Sequence, residues 1–144
     1  MLLGEYTHTL DDKNRLTLPI KFKSELGKKI VVTRGLDSSL FIYSQTEWEN
    51  ITKKLAGLSM TDANSRGFSR FFLAGATEAE LDKAGRVLVP EHLKSFAKLK
   101  KDVVLAGVQS RVELWDAKAW KAYKLKMERD GDLMAEKLGE IGVL

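Results

Sequence analysis

The chain has 144 residues, a net charge of +4, 44% hydrophobic residues and no cysteine. That apolar fraction supports a packed core rather than disorder, and the lack of cysteine excludes disulfides and cysteine-ligated metal centres. The two histidines, His8 and His92, form no His-x-x-x-His pair. We therefore expect no metal and no cofactor.

No segment approaches the roughly 18 consecutive apolar residues that a membrane span needs. The N-terminal residues also lack the basic stretch of a signal peptide. Together with the absence of cysteine, which fits a reducing compartment, this predicts a cytoplasmic protein without membrane contact. The mild positive charge permits an anionic partner but does not by itself indicate one.

The sequence contains an internal repeat. Residues 11–19 read Asp, three polar or small residues, Arg, a short apolar run and Pro, and residues 82–90 repeat that order. The same register aligns Gly4 with Gly75 and Lys23-Ser24 with Lys94-Ser95. Because self-similarity over a fixed spacing is the signature of duplicated units, we predict two halves related by a pseudo-twofold axis.

Each half has the same predicted order of elements: strand, motif loop, short strand, short helix after the proline, two strands and a longer helix. β-prone runs bounded by turn residues predict the strands, at 5–10, 15–18, 30–33 and 40–43 and, in the second half, at 77–81, 86–89, 103–105 and 112–115. Ser44 and Glu47 form a capping box for the longer helix of the first half. Asp116 is the expected cap of its counterpart.

The predicted domains are residues 3–56 and 75–129, joined by a loop and helix at 57–74 and followed by a C-terminal tail at 130–144. Helical spacing stops near residues 129–132 and resumes at Met134, Leu138 and Ile141. Because Gly139 and Gly142 interrupt this last stretch, we expect a tail that is frayed or held by a partner. Each half is too small to bury its own core well. We therefore expect the two halves to pack face to face.

Two symmetric acids raise the possibility of catalysis. Asp11 and Asp82 could meet as a protease-like dyad, but charged residues follow each of them and an Arg lies four residues along as an ion-pair partner. No phosphate loop, nucleophile elbow or paired His and carboxylate is present elsewhere. We predict a protein that is not an enzyme and has no small-molecule substrate.

The simplest interpretation of Asp11–Arg15 and Asp82–Arg86 is a salt bridge that stabilises a turn. Such an Asp can also orient an Arg whose guanidinium projects outward, and Arg suits bidentate recognition of phosphate or a guanine edge. Lys13 adds charge to the first loop. From the residues alone, a solvated turn, a nucleic-acid surface and a docking surface for a protein partner all remain open.

Two Asp-x-x-x-Arg loops in register, with the segment Ser-Arg-Phe-Phe-Leu-Ala-Gly-Ala at 69–76 between them, closely resemble the MraZ family. That resemblance implies an α+β fold: a duplicated AbrB-like swapped-hairpin β-barrel whose two pseudo-twofold-related halves, both SpoVT–AbrB domains, are flanked by short helices. It further implies a ring-shaped homo-oligomer and a cytoplasmic, nucleoid-associated transcription regulator. The implied target is double-stranded DNA carrying short direct repeats, at the promoter of the division and cell-wall gene cluster.

The resemblance places the DNA contacts on both loops. The residues are Asp11, Arg15, Asp82 and Arg86. Charge and adjacency add Lys13 and Lys83, and Asn14 adds an adaptable amide. We expect Arg15 to read a guanine-rich step, and the less polar second loop to read bases less directly. The alternative from another class is an oligomeric protein-interaction scaffold without sequence-specific DNA binding.

Overall fold

A computed structural model describes residues 1–144 and contains eight strands and five helices. In chain order they are β1 (Leu2–Thr9), β2 (Arg15–Thr17), α1 (Ile20–Leu26), β3 (Lys29–Arg34), β4 (Leu40–Ser44), α2 (Gln45–Ala56), α3 (Ala63–Ala74), β5 (Thr77–Glu80), β6 (Arg86–Leu88), α4 (Glu91–Phe96), β7 (Asp102–Gln109), β8 (Val112–Asp116) and α5 (Ala117–Glu140). The predicted order of elements is confirmed in both halves.

The two halves interleave in one antiparallel sheet of order β1-β7-β8-β4-β3-β5. The first strand of each half pairs with the other half: β1 with β7, and β5 with β3. The expectation of two units packed face to face is therefore wrong. The physical reason is that the backbone groups of β1 and β5 find their ladder partners only in the opposite half.

The strands β2 and β6 form a separate two-stranded ribbon, with Leu16 opposite Val87. These two residues are fully buried and face the core, while their neighbours on each strand face outward. The α+β class is confirmed. The backbone pairing gives a six-stranded sheet that ends at β1 and β5 plus this ribbon, and no closed barrel.

Side chains from both halves build the main core, a cluster of 20 buried residues. Phe22 of α1 and its counterpart Leu93 of α4 are both completely buried in it. On the other face of the sheet, α2 and α3 cover a smaller aromatic cluster of Phe41, Tyr43 and Phe72. Because one core serves both halves, neither half has an interior of its own.

Two helices begin at the predicted caps, Ser44 and Asp116, and α3 begins at Asp62. The Ser44 hydroxyl accepts the Glu47 N–H at 3.2 Å, without the return bond of a full capping box. Asp62 and Asp116 cap α3 and α5 through their carboxylates.

The helix α5 continues through Gly131, so the predicted interruption near residues 129–132 is wrong. A single glycine costs a helix only about 1 kcal/mol, and good helix formers surround this one. None of the helices is both long and apolar enough to cross a membrane.

Candidate nucleic-acid interface

In the first loop, Asp11 binds three donors of the residues that follow it. Its Oδ1 accepts the backbone N–H groups of Lys13 and Arg15, both at 2.9 Å, and its Oδ2 accepts Nε–H of Arg15 at 2.7 Å. A backbone bond from Asp11 N–H to the Arg15 carbonyl closes the turn. The spacing of four residues is thus what allows one carboxylate to hold both the turn and the guanidinium.

The second loop repeats this geometry. Oδ1 of Asp82 accepts the N–H groups of Ala84 and Arg86 at 2.9 Å, and Oδ2 accepts Nε–H of Arg86 at 2.8 Å. The predicted salt bridges are confirmed in both loops. Since each carboxylate is engaged by donors of its own loop, the arrangement fits an ion pair and not a shared-proton dyad.

These bonds hold the pKa of Asp11 and Asp82 below the usual range of an aspartate. The largest cause is the backbone N–H of the Arg four residues on; desolvation opposes it and raises the pKa, while the hydrogen bond from the Arg side chain lowers the pKa further. Both carboxylates are therefore charged at neutral pH. A charged Asp fixes the direction of its Arg more firmly than a neutral one would.

Each Arg uses only its Nε–H within its loop. A guanidinium has five N–H donors, and the Nη groups of Arg15 and Arg86 have no partner within the chain. The side chains are 32% and 34% exposed. Each loop therefore presents an oriented fork of free donors to the outside, which suits phosphate or a base edge.

The ribbon brings the two loops together. Arg15 lies opposite Leu88, and Arg86 lies opposite Thr17, so the two arginines are diagonal neighbours on the outward face. Diagonal neighbours in an antiparallel pair are separated by about 7–8 Å. The site is thus one surface with two guanidiniums rather than two remote loops.

The cross-half contacts of Asn14 were not predicted from the sequence. Its Nδ2 donates to Oε2 of Glu91 at 2.9 Å, and its Oδ1 accepts from Nζ of Lys94 at 2.9 Å. Asn14 adopts the left-handed conformation with φ 58°, as does its counterpart Gly85 with φ 76°. The alignment of Asn14 with Gly85 in the repeat indicated this left-handed conformation, because both residue types tolerate it.

The remaining predicted lysines, Lys13 and Lys83, are exposed at the loop tips, and neither ammonium has an ion-pair partner. They stand on the same two turns as the arginines. All seven predicted contact residues therefore belong to two adjoining turns, although the amide of Asn14 is already engaged by α4.

The fold is that of a duplicated α+β chain that presents two oriented arginines on an exposed two-stranded ribbon. The MraZ protein family model matches the chain twice, at residues 1–71 and 72–136. The chain belongs to the MraZ family.

Several similar proteins are named after this family. A protein of Caldanaerobacter subterraneus named transcriptional regulator MraZ is 48% identical over 143 residues, covering 99% of this chain and 100% of the relative. Proteins of that name from Thermoanaerobacter sp. and Acetivibrio thermocellus are 47% and 46% identical over the same coverage. These names describe regulators of transcription and not enzymes, in agreement with the prediction.

Proposed function

We propose that this protein is a sequence-specific DNA-binding transcriptional regulator that contacts duplex DNA through both Asp-x-x-x-Arg loops. The observation that carries the proposal is the pair of arginines on the outward face of the β2–β6 ribbon. Each has its Nε bound to an Asp and its Nη groups free. Such a fork matches O6 and N7 of guanine or two phosphate oxygens.

The proposed target is a set of short direct repeats at the promoter of the division and cell-wall gene cluster, bound by a nucleoid-associated, ring-shaped homo-oligomer. The full-length relatives named as transcriptional regulators support a role at promoters. Two loops from one chain make few contacts, so a single subunit would bind weakly. Several subunits tied together and facing successive repeats would gain affinity by raising the effective concentration of each loop.

The AbrB-like arrangement of the two domains is part of this proposal. The pairing of β1 with β7 and of β5 with β3 supports it, because each half lends its first strand to the other. The pairing of β2 with β6 places the motif loops of the two halves side by side. The divisions at residues 3–56, 57–74, 75–129 and 130–144 remain the proposed units.

Selection of bound fragments from a genomic DNA pool tests the proposal directly. We expect enrichment of fragments with repeated short guanine-containing elements, and a mobility shift that needs more than one element. An equally long scrambled duplex is the matched control. Equal binding to both duplexes would contradict sequence-specific recognition.

The alternative is an oligomeric scaffold that docks a protein partner on the same loops. The free guanidinium and ammonium groups on both loops favour an anionic partner and so favour DNA. A scaffold predicts no enrichment of any fragment. It also predicts that loss of both arginines leaves DNA retention unchanged.

A further inference from the structure

We infer that Lys23 is a phosphate ligand of the second loop, and that this loop anchors the protein on the DNA backbone while the first loop reads bases. The inference rests on the proposed function. Two backbone hydrogen bonds connect the halves at the loops. The Leu18 N–H donates to the Gly85 carbonyl at 3.1 Å, and the Val89 N–H donates to the Asn14 carbonyl at 2.8 Å.

These two bonds place the helix after each proline against the loop of the opposite half. Lys94 of α4 therefore lies over the first loop, and Lys23 of α1 lies over the second. The two lysines occupy equivalent positions of the repeat. Their surroundings differ because the residues they meet differ.

Over the first loop, the ammonium group of Lys94 is already hydrogen-bonded. The Asn14 carbonyl oxygen accepts from Nζ of Lys94, and the Asn14 amide donates to Glu91. Lys94 is partly buried in this network. An incoming phosphate would have to displace the Asn14 carbonyl and to approach the Glu91 carboxylate.

Over the second loop, the lysine is free. Gly85 replaces Asn14, and a Cβ placed on it would lie 3.2 Å from Nζ of Lys23. Ile20, which is 82% exposed, stands where the other half has Glu91. Nζ of Lys23 has neither a hydrogen-bond acceptor nor an ion-pair partner in the chain, and its side chain is exposed.

The two sites also differ in net charge. The first loop and its helix carry three acids and three bases: Asp11, Asp12 and Glu91, with Lys13, Arg15 and Lys94. The second carries two acids and four bases: Asp82 and Glu25, with Lys83, Arg86, Lys21 and Lys23. One site is neutral and the other has an excess of two positive charges, so the backbone of DNA is attracted mainly to the second.

The second site also has room. A depression of about 230 Å³ beside the loop is lined by Lys23, Gly27, Lys28, Leu81 and Asp82. Nζ of Lys28 is paired with Glu80 at 3.3 Å, which leaves Lys23 as the free ammonium of that depression. A phosphate oxygen there would meet the free ammonium of Lys23 and would lie beside Asp82, whose carboxylate is already paired with Arg86.

The test is the salt dependence of binding by the full chain, measured by fluorescence anisotropy on two probes. One is a duplex recovered by selection, and the other is a scrambled duplex of equal length. Lys23→Met should weaken binding to both by the same factor, about fivefold at 0.15 M salt for each subunit in contact. The log–log salt slope should become shallower by about 0.9 for each such subunit.

The repeat supplies the matched control. Lys94→Met removes the equivalent lysine and should cost less than Lys23→Met on both duplexes, while Lys23→Arg should keep wild-type affinity. The double variant Ile20→Glu with Gly85→Asn rebuilds the first-loop network around Lys23 and should weaken binding as Lys23→Met does. Thermal unfolding verifies that each variant is folded, which is expected for Lys23→Met since Nζ makes no internal polar contact.

The outcomes separate the two claims. If the wild type binds neither duplex, the proposed function fails and the inference fails with it. If the wild type binds and Lys23→Met matches it, or costs no more than Lys94→Met, only the inference fails. A loss confined to the selected duplex would overturn the phosphate role, and so would wild-type affinity in the folded double variant.

Discussion

Arg15 and Arg86 are diagonal neighbours on the outward face of the β2–β6 ribbon, where Leu88 and Thr17 complete the two cross-strand pairs. The relationship arises because the two short strands come from opposite halves and run antiparallel. Their inward residues, Leu16 and Val87, are fully buried, so alternation along each strand fixes both arginines on the exposed side. A slip of one residue would bury them.

This geometry predicts distinct effects for the two arginines. Arg15→Ala should lower affinity for a multi-repeat duplex at least tenfold and reduce the preference over a scrambled duplex, because a bidentate base contact is worth about 1–3 kcal/mol. Arg86→Ala should lower affinity for both duplexes by the same factor, and on the multi-repeat duplex this loss should be smaller than that caused by Arg15→Ala. Anisotropy titrations measure both.

Arg129→Ala is the matched control, since Arg129 lies on α5 outside the ribbon and pairs only with its neighbour Asp130. Its affinity should equal that of the wild type. An Arg15→Ala variant that binds and discriminates like the wild type would refute the assignment of the first loop as reader.

The lowered pKa of Asp11 and Asp82 predicts a pH dependence of stability. The unfolded chain has ordinary aspartate pKa values, so these groups stabilise the folded state at pH values above them. That contribution is lost as the pH falls through the lower pKa of the folded state. Carboxyl NMR titration should show both groups titrating below a typical exposed aspartate, since N–H donors stabilise the charged form.

Asp11→Asn with Asp82→Asn should flatten the acid limb of a plot of the urea unfolding midpoint against pH. Asp37→Asn is the control, because Asp37 is exposed and lies outside both loops. An unchanged acid limb in the double variant would show that the ion pairs contribute nothing to stability.

Two glycines should respond oppositely to alanine. A Cβ on Gly131 meets nothing within 4 Å, and Gly131 lies inside α5, so Gly131→Ala should stabilise by up to about 1 kcal/mol. A Cβ on Gly107 would lie 2.6 Å from the backbone nitrogen of Leu3. Gly107→Ala should therefore destabilise, because β1 must move away from β7.

Urea denaturation measures both glycine variants. An equal shift in the two unfolding free energies would show that the contact between β1 and β7 at Gly107 is looser than described. The same experiment tests the continuity of α5, since a break at Gly131 would remove the gain from alanine.

The interleaved sheet predicts that a half does not fold as a monomer. A fragment of residues 1–74 contains β1 but not its partner β7, and it contains β3 without β5. It should be unfolded at low concentration, or form a dimer in which each copy lends β1 to the other. Sedimentation with circular dichroism distinguishes these outcomes, and a folded monomer would contradict the interleaving.

The sequence by itself determined the repeat, the α+β class and the order of the elements. It also determined the ion pairs of the two loops, because an Asp four residues before an Arg in a turn is a local arrangement. Helix caps at Ser44, Asp62 and Asp116 were predictable for the same reason: each depends on residues within three positions. The ends of the strands were predicted less accurately. The predicted strand at 103–105 is β7, which extends to Gln109 because β1 pairs with it over eight residues.

Only the tertiary structure decided which half supplies the partner of each strand, and hence that Arg15 and Arg86 share one face. Long-range pairing leaves no mark at fixed spacing in a single sequence. The hydrogen bonds of Asn14 with Glu91 and Lys94, and the position of Lys23 above Gly85, are likewise long-range contacts that the sequence does not reveal. The repeat made the two loops look equivalent, whereas the first site is neutral and the second basic: the second loop has one acid where the first has two, and Ile20 stands beside it where Glu91 stands beside the first.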